Sequence, residues 1–216
     1  KAYLFYPSED TKRLLYTYLI NIISSLNYEK LKDLEYLIKL TRYSSKDYIK
    51  GLIKSEFLKI TEACLINKDD PDYYDEVYKY LSEEINNNEY LKDIAYIYNY
   101  EKGRYVYGND KHLEGHNHFT KALEIKINDI EIQRAFIQSL TVILDQLEIF
   151  EAVEKIESYS GKFRELSSNN NFVKLRMKNY LLAATRSFKT NNIKRGEVFL
   201  EKFENIYINS TDIPME

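Results

Sequence analysis

Glycine, proline and cysteine are scarce in this chain, and each shortage removes a class of protein. Only six of the 216 residues are glycine and three are proline. An all-β fold needs turn residues roughly every 8–12 positions, and a phosphate-binding loop needs glycines in a cluster; neither supply is present. The single cysteine, Cys64, rules out an internal disulfide framework and fits a reducing, cytoplasmic compartment. No apolar run approaches the roughly 18 residues of a membrane span, since Leu19-Ile20 and Ile22-Ile23 are soon interrupted by polar residues, and no secretory leader is recognisable. An excess of one charge is lacking too. A net charge of −3 offers little phosphate neutralisation, so DNA contact is expected only through a domain ahead of Lys1. The lysine at position 1, in place of methionine, makes such a preceding segment the expectation.

What the chain does have is Leu, Ile and 21 Tyr at helical spacing, with 30% charged residues between them. Leu14, Leu15, Tyr18, Ile22 and Leu26 recur every three or four positions, as do Ile49, Ile53, Phe57, Ile60 and Cys64. About ten helices follow, with 1–208 as one helical domain and 209–216 as a frayed tail. Their boundaries fall at polar breaks. Pro7-Ser8 opens the first helix, and Asp69-Asp70-Pro71 is a capped start with proline at the first helical position. Asn86-Asn87-Asn88, Gly108-Asn109-Asp110, Ile127-Asn128-Asp129, Ser167 to Asn171 and Asn191-Asn192 mark later breaks.

A hairpin signature stands out in the middle of the chain. Gly103, Gly115, Phe119 and Ala122 are 12, 4 and 3 apart, in Tyr100-Glu-Lys-Gly-Arg-Tyr105 and the segment running to Phe119-Thr-Lys-Ala-Leu123. Two helices joined by a short turn cross closely only where one side lacks bulk. The spacing recurs as Leu140, Ala152, Ile156 and Tyr159, and again as Ala184, Gly196, Leu200 and Phe203. Earlier units pair Thr11–Leu26 with Lys30–Thr41 and Ile49–Ile66 with Tyr73–Ile85. This pattern resembles the tetratricopeptide (TPR) helical hairpin, although the periods of 37 to 44 exceed its usual ~34 residues. The expected fold is all-α, a right-handed solenoid of about five TPR-like hairpins.

No nucleophile elbow, Walker A or His-Glu-x-x-His pattern is present, and no enzymatic role or cofactor is expected. His112 and His116 share a helix face at metal-ligand spacing, but His118 points elsewhere and no Cys completes a set. The plainer alternative places these histidines on a polar outer helix face, and no metal is expected. Tyr96, Tyr100, Gly103 and Tyr107 form one stripe and Tyr98 and Tyr105 another; such stripes pack inward or line a groove. Arg134, Gln138, Thr141 and Asp145 lie on one face, 4, 3 and 4 apart. Asn179 and Arg186 share a face seven apart, and Asn99 and Arg104 lie in the third unit.

Given the hairpin motif, the chain also resembles the C-terminal domain of peptide-sensing bacterial regulators of the Rgg, PlcR and Rap kinds. The resemblance implies a helical-repeat domain whose first helices line a concave groove for a short signalling peptide, and which often forms a homodimer. On that footing Asn99, Tyr100, Arg104, Arg134, Gln138, Thr141, Asn179 and Arg186 are the candidate peptide contacts: amides for the peptide backbone, arginine for a carboxylate. The competing expectation is a general TPR scaffold that holds another protein's tail without a small effector.

Overall fold

The computed structural model describes residues 95–209 continuously, together with Asp75, Lys79, Ser82, Glu83, Ile85, Asn86, Asn87 and Lys92. Among the described residues every element is helical: α1 (Ala95–Gly108), α2 (His112–Ile125), α3 (Ile130–Leu144), α4 (Ile149–Lys162), a 3-10 turn (Arg164–Ser168), α5 (Asn170–Lys189) and α6 (Ile193–Asn209). The all-α expectation therefore holds for these residues, and none of these helices is long and apolar enough to cross a membrane. The hairpins expected before Tyr73, the Asp70-Pro71 start and the tail beyond Asn209 lie outside the described residues. Asn209 itself closes α6.

Contacts divide the chain into two compact units, Lys1–Tyr105 and Val106–Glu216. In the first, Asp75, Lys79, Ser82, Glu83, Ile85, Asn86 and Asn87 are helical, with Ile85 buried. Helix continues through Asn86 and Asn87, where a break was expected. Both side chains are exposed, so their amides stay hydrated and cost the helix little. The part of α1 in this unit buries Ile97, Glu101, Lys102 and Tyr105. Lys102 pairs with Asp75, and Glu101 accepts from Arg104 at 3.1 Å, which keeps those buried charges partnered.

The second unit is built on two matching turns. The Lys111 N–H bonds the Val106 carbonyl and the Asp110 N–H bonds Tyr107, with Asp110 at φ 61°. The Asn192 N–H bonds Ser187 and the Asn191 N–H bonds Phe188, with Asn191 at φ 57°. Both are Schellman ends, in which a left-handed residue turns the chain and satisfies the last carbonyls of the helix. Asp and Asn tolerate that region because their short side chains bond locally. In each case a glycine four residues after the turn, Gly115 or Gly196, donates back to begin the next helix. The turns thus share the register of the Gly103/Gly115 and Ala184/Gly196 spacings.

Between them, α3 begins at Asp129, whose carboxylate accepts from the Glu131 and Ile132 N–H groups at 3.1 and 3.2 Å. It buries Ile132, Phe136, Ile137, Leu140, Ile143 and Leu144 on one side. Ile132, Phe136 and Leu140 are fully enclosed, each contributing about 2–3 kcal/mol by leaving water. The 3-10 turn accounts for the long interval before α5. Its Leu166 and the preceding Phe163 are buried, and Phe163 meets Phe136 edge-on at 5.6 Å, so the extra residues fill core. Helix α5 then starts at Asn169, which accepts from the Asn171 and Phe172 N–H groups.

The α5–α6 hairpin closes over Val153, Tyr180, Ala183, Ala184 and Phe199. Gly196 is its point of closest approach: a Cβ there would lie 2.5 Å from the Phe188 ring. Gly161 near the end of α4 faces open space. Gly161→Ala should therefore stabilise the protein by about 0.5 kcal/mol through helix propensity. Gly196→Val should destabilise it by about 1–3 kcal/mol by displacing Phe188. Urea unfolding of the two variants checks the opposite signs.

Candidate binding face on α3 and α5

Two contacts show how α3 and α5 lie together. At their starts, the Asn169 amide donates to Gln133 Oε1 at 2.7 Å, and Gln133 in turn donates to the Ile127 carbonyl at 2.7 Å. Farther along, Lys178 Nζ stands 3.6 Å from Asp145 Oδ1. Going from Gln133 to Asp145 and from Asn169 to Lys178 climbs both helices in the same sense, by about 18 and 13 Å at 1.5 Å per residue. The two helices run in the same sense over this stretch, and their outward stripes meet at Lys178 and Asp145.

On α3 that stripe is Arg134, Gln138, Thr141 and Asp145, the set expected from spacing. Arg134 and Gln138 are exposed and Thr141 is half-buried. Arg134 pairs with Glu131 at 3.1 Å, but both are more than half exposed, so the pair contributes little and is easily exchanged. The Thr141 hydroxyl donates to the Ile137 carbonyl at 2.9 Å, which leaves its oxygen as an acceptor. On α5 the exposed stripe is Lys174, Lys178, Leu181, Leu182, Thr185 and Lys189. Leu181 and Leu182 are 44% and 47% exposed, an apolar pair between cations.

Other expected contacts fall elsewhere. Asn179 is 5% exposed, and its amide donates to the Leu175 carbonyl at 2.8 Å. It does not face an open groove. Spacing put it with Arg186, which is exposed, but α5 is packed by α4, the 3-10 turn and α6 together. Its buried arc is therefore wide enough to take in Asn179. Asn99, Tyr100 and Arg104 belong to the first unit. The Asn99 amide donates to the Ala95 carbonyl at 2.9 Å, and the Arg104 guanidinium lies 5.9 Å from the Tyr100 ring centre.

The histidines correct a second expectation. His116 is not on an outer face; it is fully buried. Its Nδ1 lies 2.8 Å from Ser139 Oγ and its Nε2 lies 2.9 Å from the Tyr159 hydroxyl, so one side chain joins α2, α3 and α4. Ser139 spends its proton on the Phe136 carbonyl at 2.9 Å. The network is then complete with Nδ1–H donating to Ser139 and the Tyr159 O–H donating to Nε2. The ring also stacks on Phe136 at 5.0 Å and 30°. Ser139 is 1% exposed, which seals it from solvent, so this trio joins helices. Sequence offered one signal for it: His116 follows the packed Gly115 and precedes Phe119 by three, on the inward arc of α2.

Searches against protein-family models, curated proteins and solved structures return no match to this chain.

Burial, with a smaller push from the Lys155 charge, lowers the His116 pKa from 6.5 to about 4. As pH falls, the unfolded chain takes up this proton before the folded one, so the group's contribution is complete above pH 6.5 and is lost on descent to 4. The share lost between pH 7.5 and 5 is about 2 kcal/mol. His116→Phe should lower stability at pH 7.5, by leaving the Ser139 and Tyr159 hydroxyls short of a partner. The same variant should flatten the pH dependence of the urea midpoint over that interval.

Proposed function

We propose that this chain is a non-enzymatic helical-repeat binding domain, a right-handed stack of TPR-like hairpins that holds a peptide segment across the joined stripes of α3 and α5. The observation that carries the reading is that these two helices run in the same sense. Each follows a hairpin turn or linker, each turns one side into the core, and each leaves its other side open in the same direction. Gln138, exposed and without a hydrogen-bond partner among the described residues, offers both an N–H and a C=O to a peptide backbone. Arg134 exchanges a weak surface pair for a carboxylate at small cost. Such a domain serves as the sensor of a cytoplasmic, peptide-regulated bacterial transcription regulator, in which peptide binding selects one arrangement of the hairpins. A ligand that turns such a balance from mostly off to mostly on must favour one state by several kcal/mol.

Peptide display against the full chain, followed by calorimetry with a selected peptide, tests the proposal. Arg134→Ala combined with Gln138→Ala should weaken binding about tenfold or more while the unfolding midpoint stays in place. Asn179→Ala should act through stability instead. An unchanged affinity in the double variant, or a display that yields no binder, removes the proposed face.

A further inference from the structure

From Leu166 to Gly196 the sequence contains seven Lys and Arg and no Asp or Glu, in a chain whose acids outnumber its bases. Helix α5 carries five of the seven, and the fold sorts them. Arg176 is half-buried with its charge near the Tyr180 phenol, and Lys178 meets Asp145. Lys174, Arg186 and Lys189 are exposed and take part in no ion pair among the described residues. The helix dipole favours Arg186 and Lys189 in the last turn. Lys174 and Lys178 lie too far from that end to benefit, and the dipole gives no reason for the absence of acids around them.

We propose that the outward stripe of α5 selects a partner segment that is both acidic and apolar, its carboxylates set against Lys174, Lys178 and Lys189 and its aliphatic side chains against Leu181 and Leu182. This inference rests on the α3–α5 face being the binding surface. Charge complementarity identifies the occupant. Lys174 and Lys178 are one turn apart, within the ~8 Å over which charges act together at physiological salt. The two leucines lie between them and Lys189. A lipid surface fits less well. The opposite side of α5 is committed to the core, so Leu181, Leu182 and the half-exposed Phe188 are its only large apolar side chains open to a bilayer, short of the broad apolar face of an interfacial helix. A bare polyphosphate would leave those leucines uncovered.

Fluorescence anisotropy with the full chain provides the test, using a labelled peptide with Glu and Leu at helical spacing and its counterpart with Gln for every Glu. The Glu peptide should bind about tenfold tighter than the Gln peptide, and the advantage should shrink as salt rises. Lys174→Gln, Lys178→Gln and Lys189→Gln together should abolish it without shifting the unfolding midpoint. Equal binding of the two peptides overturns the charge selection. If Leu181→Ser with Leu182→Ser then weakens both, the binding face itself stands. If neither peptide binds, the acidic partner is overturned, and peptides selected by display decide the fate of the face separately. Phosphatidylserine vesicles or a single-stranded oligonucleotide that bind as tightly as the Glu peptide, and lose binding in the same triple variant, also overturn it.

Discussion

The buried imidazole of His116 is the constraint on which the arrangement of the second unit depends. Its two nitrogens face opposite ways and find Ser139 on α3 and Tyr159 on α4, while its ring lies against Phe136. The net gain from such bonds is only about 1 kcal/mol each. Apolar burial around them is several times larger. Yet burial is indifferent to small rotations of a helix, and hydrogen bonds are not. With Ser139 held inward, Arg134, Gln138 and Thr141 are turned to the far side of α3. The open stripe is a consequence of the closed one.

Turn chemistry supplies the second constraint. Asp110 and Asn191 occupy left-handed conformations that few residues adopt cheaply, and each delivers the following helix in the same register, with a glycine at the same distance. Between the two turns the chain spends extra residues on a 3-10 segment. Phe163 and Leu166 make that segment part of the core. The long interval between hairpins is therefore a structural insertion with its own packing, and it places Asn169 where its amide reaches Gln133.

The α3–α5 face combines weak ion pairs, a free amide and a half-exposed leucine pair, which is the composition of a surface that exchanges contacts readily. Elsewhere in the same unit, charge is used differently. Glu157 on α4 accepts from both Tyr180 of α5 and Lys202 of α6. Desolvation first, and then the Glu157 charge, raises the Tyr180 pKa, so the phenol remains a donor. Arg195 lies 3.7 Å from the centre of the Phe150 ring and also borders Phe199. These contacts tie the last hairpin to α4, on the side of α5 away from Lys174 and Lys178.

Helical periodicity and a few polar breaks marked the boundaries near 108–110, 127–129, 167–171 and 191–192, because a 3.6-residue repeat and an Asp or Asn at a cap act within one turn of chain; no polar break was expected where α3 gives way to α4, and the one expected at Asn86 and Asn87 is helical. The same local rule placed Arg134, Gln138 and Thr141 on one stripe, and the fold left that stripe open. It misplaced His116 and Asn179 for one reason. Spacing sets the angle between side chains around a helix, whereas the width of the buried arc depends on how many neighbours the helix acquires. Helix α5 borders α3 and is packed by α4, the 3-10 turn and α6 as well, so Asn179 is enclosed; α2 meets α3 across the face that carries His116. The Lys174-Lys178-Leu181-Leu182 stripe was legible as composition, a long stretch without acids. That it borders the α3 stripe was decided only by tertiary contacts, Asn169 with Gln133 and Lys178 with Asp145, between residues more than thirty positions apart.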